Sequence, residues 1–152
     1  MSISRLFKYR DRIDLNPSFQ REKVWSTDKQ QHFLDTILKG WGVPKLYFQV
    51  VQDAHSGKRA YTCIDGKQRL TAIFSFLEKR IPLSKKYSED LGGKRYDDLP
   101  DEVQNNFDDY VLHVEEVSAS DEKEIGELFK RLQLGSPLNS GEKLMALVGD
   151  MR

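Results

Sequence analysis

Tyr61-Thr62-Cys63-Ile64-Asp65-Gly66-Lys67-Gln68-Arg69-Leu70-Thr71-Ala72-Ile73-Phe74-Ser75-Phe76-Leu77 is the stretch on which the fold turns. An apolar run enters, Asp65-Gly66 interrupts it, and a helical pattern of apolar residues starts at once. A strand that turns over a glycine into a helix leaves free backbone N–H groups at the turn. Together with the positive end of the helix dipole they favour an anion. The first turn also carries Lys67, Gln68 and Arg69. One carboxylate, one amide and two cations thus converge on one helix start, which suits a phosphorylated ligand better than a core.

Towards the N-terminus, residues 46–51 read as a strand and residues 58–64 as its partner. The turn between them, Asp53 to Lys58 with Gly57, makes the two a hairpin. Ser26-Thr27-Asp28 offers cap residues for a helix to about Leu38, with Phe33, Leu34, Ile37 and Leu38 on its apolar face. Gly40 stops that helix, and Gly42 and Pro44 keep the chain irregular. Residues 7–15 read as a short strand or extended lead-in, closed by a turn at Asn16-Pro17. Towards the C-terminus, the helix from Lys67 runs over 67–79. Residues 82–97, polar and holding Gly92-Gly93, read as a surface loop. Leu99-Pro100 opens a helix to about Phe107, and residues 110–117 alternate as a strand. Residues 121–134 form a helix capped by Ser120, with Ile125, Leu128, Phe129 and Leu132 on one face. A turn at 135–139 and a last helix from Ser140 to about Met151 complete the pattern. Strands and helices mix without strict βαβ alternation, so the class is α+β, a small mixed sheet packed against several helices.

Residues 1–152 fit one domain. The last helix meets the end of the chain without a stop signal, as expected of the N-terminal part of a longer protein. With 24 basic and 24 acidic residues the formal charge is zero. That argues against a constitutive nucleic-acid coat and leaves room for a local basic cleft. There is no membrane-length apolar run and no signal-peptide pattern, so a cytoplasmic location is expected. Cys63 is the only cysteine. It excludes a disulfide framework and a cysteine zinc site, and its place in an apolar strand favours an inert packed thiol over a reactive one.

Three further segments carry chemistry. Residues 16–25 have no clean period yet hold Gln20, Arg21 and Trp25. Arg21 offers a two-pronged fork to phosphate, and Trp25 plugs the core beside Val24 or stacks on a base. In residues 128–135, Phe129 and Leu132 point inward, leaving Lys130, Arg131 and Gln133 to polar faces. A solvated helix face is the plainer reading there. In residues 136–142, Asn139, Ser140 and Glu142 are read first as a cap and first turn of the last helix.

These segments match one pattern in order and spacing. The chain resembles the N-terminal domain of the GmrSD-type (type IV) restriction enzymes, which has the ParB/sulfiredoxin-like fold. The pattern is carried by Phe19-Gln20-Arg21 with Val24-Trp25, by Gly40-Trp41-Gly42-Val43-Pro44, and by Asp65-Gly66-Lys67-Gln68-Arg69-Leu70-Thr71. It continues in Phe129-Lys130-Arg131-Leu132-Gln133-Leu134-Gly135, then Leu138-Asn139 and Glu142. The resemblance covers about residues 10–148. Lys67 stands where the family has a glutamine, and Gln133 where it has an asparagine.

The resemblance implies a domain that binds and hydrolyses a nucleoside triphosphate and controls a nuclease domain elsewhere in the chain or complex. DNA would be reached through the parent protein. It implies catalytic roles for Asp65, Gln68 and Arg69, with Asp65 a ligand for Mg2+ or an orienter of the attacking water and Gln68 positioning that water. It implies nucleotide-binding roles for Gln20, Arg21, Trp25, Gly66, Lys67, Arg131, Asn139 and Glu142. No P-loop motif occurs. His32, His55 and His113 stand in no metal-ligand spacing, so the sequence holds no nuclease centre. The competing expectation is a non-catalytic DNA- or protein-binding module using the same pocket. A sulfiredoxin-like activity needs a reactive cysteine, for which Cys63 is poorly placed.

Overall fold

The computed structural model describes residues 1–16, 23–52, 55–117 and 122–134. Its centre is the expected hairpin. Strand β2 (Leu46–Gln52) pairs antiparallel with β3 (Arg59–Asp65). Two strands pair parallel at the flanks, β1 (Ile13–Asp14) on β3 and β4 (Val114–Val117) on β2, giving the order β1-β3-β2-β4.

Helix α2 (Thr27–Leu38) begins where the cap residues place it. Ser26 Oγ accepts from the Lys29 amide at 3.2 Å, and Gly40 turns the chain out at φ +73°. Ser26→Ala is expected to lower stability by about 1 kcal/mol, read as a shift in the urea midpoint at unchanged slope. Helix α3 (Lys67–Leu77) follows β3 after one residue, Gly66. It is two residues shorter than expected, and Lys79 takes a left-handed φ of 65° just beyond it. Helix α4 (Asp101–Asp109) starts behind Pro100, which is suited to a helix entrance because its missing N–H would have no helical partner.

The two faces of the sheet are covered separately. Leu46, Phe48 and Cys63 point to a main core shared with Leu34 and Ile37 of α2, Leu70, Ile73 and Phe76 of α3, and Phe107 of α4. Cys63 is fully buried there. On the other face Tyr47 and Ile64 meet Ile125, Phe129 and Leu132 of helix α5 (Glu122–Leu134) in a second, smaller cluster. The inward positions of α5 are those its periodicity predicts. Mixed pairing with helices on both faces is the expected α+β class.

Three expectations need correction. Residues 7–15 are mostly not extended. Helix α1 (Ile3–Lys8) is capped by Ser2, and a 3-10 turn (Arg10–Arg12) follows, leaving only Ile13 and Asp14 in a strand. Ile3 and Leu6, three apart, are both fully buried on one helical face. The strand expected over 110–117 is confined to its second half. Its first half is used by the N-terminus instead, through Ile3 N to Tyr110 O at 2.9 Å and Leu112 N to Met1 O at 2.8 Å. Residues 82–97 are not a plain surface loop. Leu83 is buried, and Ser88 Oγ donates to the buried Asp35 at 2.8 Å. The cap expected at Ser120 and everything expected of 135–152 lie outside the described residues. Among the described residues no helix is long and apolar enough to cross a membrane.

Candidate functional site

The site begins with an irregularity in the hairpin. Tyr47 pairs with Asp65, but the next residue, Phe48, pairs with Cys63, so Ile64 is an extra residue in β3. Strict alternation would put Asp65 on the same face as Cys63, inside the main core. The bulge turns it to the Tyr47 face instead, as bulges do when they re-aim a side chain. A carboxylate is thereby kept out of an apolar core and delivered to the start of α3.

Gly66 makes the turn at φ +116°. A Cβ there would lie 2.3 Å from Leu46 Cδ2. Glycine is therefore required both by the backbone conformation and by the approach of Leu46. As the residue before α3 it also brings no side-chain cap. The first intrahelical bond runs from Leu70 N to Gly66 O at 2.9 Å. The N–H groups of Lys67, Gln68 and Arg69 consequently have no acceptor within the helix, the usual state of a helix start.

Around those amides the side chains are unequal. Arg69, 8% exposed, binds Asp65 Oδ2 through its guanidinium at 3.1 Å. Asp65 Oδ1 accepts from Gln133 Nε2 of α5 at 3.2 Å. Gln68, 5% exposed, uses Oε1 to accept from the Trp25 amide at 3.1 Å. Its Nε2 donates to nothing among the described residues. Lys67 is half-buried and forms no ion pair among the described residues. The Asp65 and Arg69 charges cancel, so Lys67 and the helix dipole leave the turn net positive.

Trp25, Asp65, Gly66, Lys67, Gln68 and Arg69 are thus brought together, which local turns alone would not require of Trp25. The Trp25 ring lies edge-on to Phe33 at 5.4 Å, with Lys29 Nζ 4.9 Å from its centre. That seats it partly in the α2 surface, between the core plug and the open stacking platform. Arg131 is exposed and pairs with Glu127, one turn back on α5, at 3.1 Å. Gln20, Arg21, Asn139 and Glu142 lie outside the described residues.

Sequence reading missed two participants. Gln133 stood out only as a departure from a pattern, yet it is the side chain that reaches Asp65. Tyr47, opposite Asp65 in register, is 6% exposed and carries a phenol next to the charges. Burial first, then the carboxylates of Asp65 and Glu115, push its pKa up, with Arg69 opposing. A tyrosine in an apolar strand carries no sequence signal of this; only the bulge reveals which face it shares with Asp65.

No group of three or more His, Cys, Asp or Glu side chains able to hold a metal occurs among the described residues. The donor set therefore fits Mg2+ only in a limited way. Asp65 supplies one carboxylate whose oxygens each retain a lone pair, and phosphate oxygens of a ligand and water would have to complete the shell.

A family model described as "GmrSD restriction endonuclease, N-terminal domain" matches residues 3–149. No curated protein and no solved structure matches the chain.

Proposed function

The chain belongs to the family of GmrSD restriction endonuclease N-terminal domains, and on that premise we propose that the turn from Asp65 to Arg69 binds the phosphates of a nucleoside triphosphate. Membership makes the chain a domain of a restriction-system component. The observation that supports the nucleotide reading is the convergence of donors that have no acceptor among the described residues: the Lys67, Gln68 and Arg69 amides, Gln68 Nε2 and the Lys67 ammonium. A phosphate oxygen is the ligand that satisfies several such donors at once. The ParB/sulfiredoxin-like assignment belongs to the same proposal, as does control of a nuclease carried elsewhere in the chain or complex, in response to modified DNA.

In this mechanism Gly66 and the following amides cradle phosphate. Lys67 and Arg69 offset its charge, and Asp65 would hold Mg2+ or orient water. Mg2+, when bound, supplies charge neutralisation at the phosphates. Gln68 Oε1 accepts from the Trp25 amide with one of its two lone pairs, and its Nε2 is the donor it offers to a ligand. Binding of a ligand therefore draws on the segment before α2 as well as on α3.

Titration calorimetry of the domain with each common triphosphate and magnesium is expected to give micromolar to millimolar affinity, about −8 to −4 kcal/mol. Lys67→Ala is expected to weaken it about tenfold or more, as loss of one charge-assisted contact. Absence of heat and of a thermal shift with every triphosphate would end the nucleotide reading. A second reading, a binding module without turnover, is favoured by the engagement of both Asp65 oxygens. Under hydrolysis, Asp65→Asn lowers turnover far more than affinity. Under pure binding, wild-type turnover is absent and only affinity changes.

A further inference from the structure

Net charge is zero over the chain, yet one segment departs from that balance. Residues 5–12 read Arg5-Leu6-Phe7-Lys8-Tyr9-Arg10-Asp11-Arg12, with four cations against one carboxylate. Arg5, Lys8 and Arg10 are exposed and Arg12 is half-exposed. None of the four forms an ion pair among the described residues, and no other eight-residue stretch there brings four such cations together. Helix α4 packs on α1 and carries Asp101, Glu102, Asp108 and Asp109, and these do not pair with the four cations either.

The three arginines lie against aromatic rings, and Lys8 extends freely from the exposed face of α1. The Arg5 and Arg12 guanidinium carbons lie 5.7 and 5.4 Å from the Tyr9 ring centre. That of Arg10 lies 3.9 Å from the Phe7 ring centre, and its Nη1 donates to the Phe7 carbonyl at 2.7 Å. Phe7 is anchored in turn against Phe74 of α3, ring centres 5.9 Å apart. Rings that carry guanidinium groups are taken as stacking platforms for bases, which single-strand binders need free. What remains is a cluster of positive charge with no carboxylate partner among the described residues.

From this arrangement we propose that Arg5, Lys8, Arg10 and Arg12 form a surface that binds the phosphate backbone of duplex DNA, without reading its sequence. The chemistry is neutralisation of adjacent phosphates with release of condensed counterions. It is separate from the turn at Asp65–Arg69 and does not depend on nucleotide binding there.

The test is fluorescence anisotropy of the full 152-residue chain with a labelled duplex of about two helical turns, from about 50 to 200 mM salt. The wild type is expected to bind with a steep linear fall of log affinity against log salt. In Arg5→Gln/Lys8→Gln/Arg12→Gln the slope is expected to be shallower by about 3, and the affinity at least about tenfold weaker. The control Lys58→Gln/Lys85→Gln/Lys123→Gln, with the same charge change at exposed sites, keeps the wild-type slope. Should the triple variant fail to fold, Lys8→Gln alone is expected to reduce the slope by about 1. Equal losses in the triple variant and control, no duplex binding by the wild type at low salt, or a preference for single strands or anionic lipid vesicles over the duplex would each overturn the proposal.

Discussion

Gly66→Ala is expected to destabilise the domain by about 2–5 kcal/mol, which at the marginal stability of a small domain is a large share of the total. Two independent costs act at the residue. An alanine at φ +116° sits where L side chains are disfavoured, worth about 1–2 kcal/mol. Its Cβ would also be placed 2.3 Å from Leu46 Cδ2. Leu46 is fully buried and cannot swing into solvent, so relief means moving β2 against α3, an overpacking cost of about 1–3 kcal/mol. The measurement is urea unfolding of Gly66→Ala, Leu46→Ala and the double variant. Leu46→Ala alone leaves a cavity, costing about 2–5 kcal/mol. If contact with Leu46 is the larger cost at Gly66, the double variant is more stable than the sum of the singles by about 1 kcal/mol or more. Strict additivity would assign the whole effect to the backbone.

Arg69→Met is expected to cost about 2–4 kcal/mol while keeping the volume of the side chain. It strips Asp65 of its guanidinium partner and leaves the carboxylate, among the described residues, with Gln133. Removing one member of a buried ion pair is costly because the other stays desolvated; the 19% exposure of the Asp65 side chain keeps the figure below that of a fully buried pair. The double variant Arg69→Met/Asp65→Leu should recover much of the loss, since no charge then remains unpaired. Both unfolding midpoints are needed for the comparison. A double variant no more stable than Arg69→Met would show that the pair acts through something other than charge compensation.

The parts of this fold that could be read from the sequence are those set by local chemistry. Ser26 and Gly40 bound α2, Gly57 marks the hairpin turn, and the spacing of Ile125, Phe129 and Leu132 sets the buried face of α5. The turn at Asp65-Gly66 was legible because a strand, a glycine and a helical period abut there. What escaped depends on partners distant in sequence. Residues 110–112 alternate like a strand, but Tyr110 O and both backbone groups of Leu112 bond to Met1 and Ile3. The Ile64 bulge is invisible to a period-2 reading, and with it went Tyr47 and the role of Gln133. Of the candidate residues, Trp25 joined the helix start through Gln68, whereas Arg131 is occupied by Glu127. Gln20, Arg21, Asn139 and Glu142 fall outside the described residues.

The apolar side chains among the described residues divide into two clusters on opposite faces of the sheet. Helix α5 rests on Tyr47 and Ile64 and, among the described residues, takes no part in the main core. Its apolar contacts among the described residues form one small cluster, and local openings of such units lie below global unfolding in free energy. Gln133 travels with the helix, so each opening frees one oxygen of Asp65. The hydrogen-bonding state of that carboxylate is therefore tied to a docking equilibrium. A segment that pulls on α5 acts on Asp65 without touching it, and by linkage a ligand that prefers the freed carboxylate pushes α5 away.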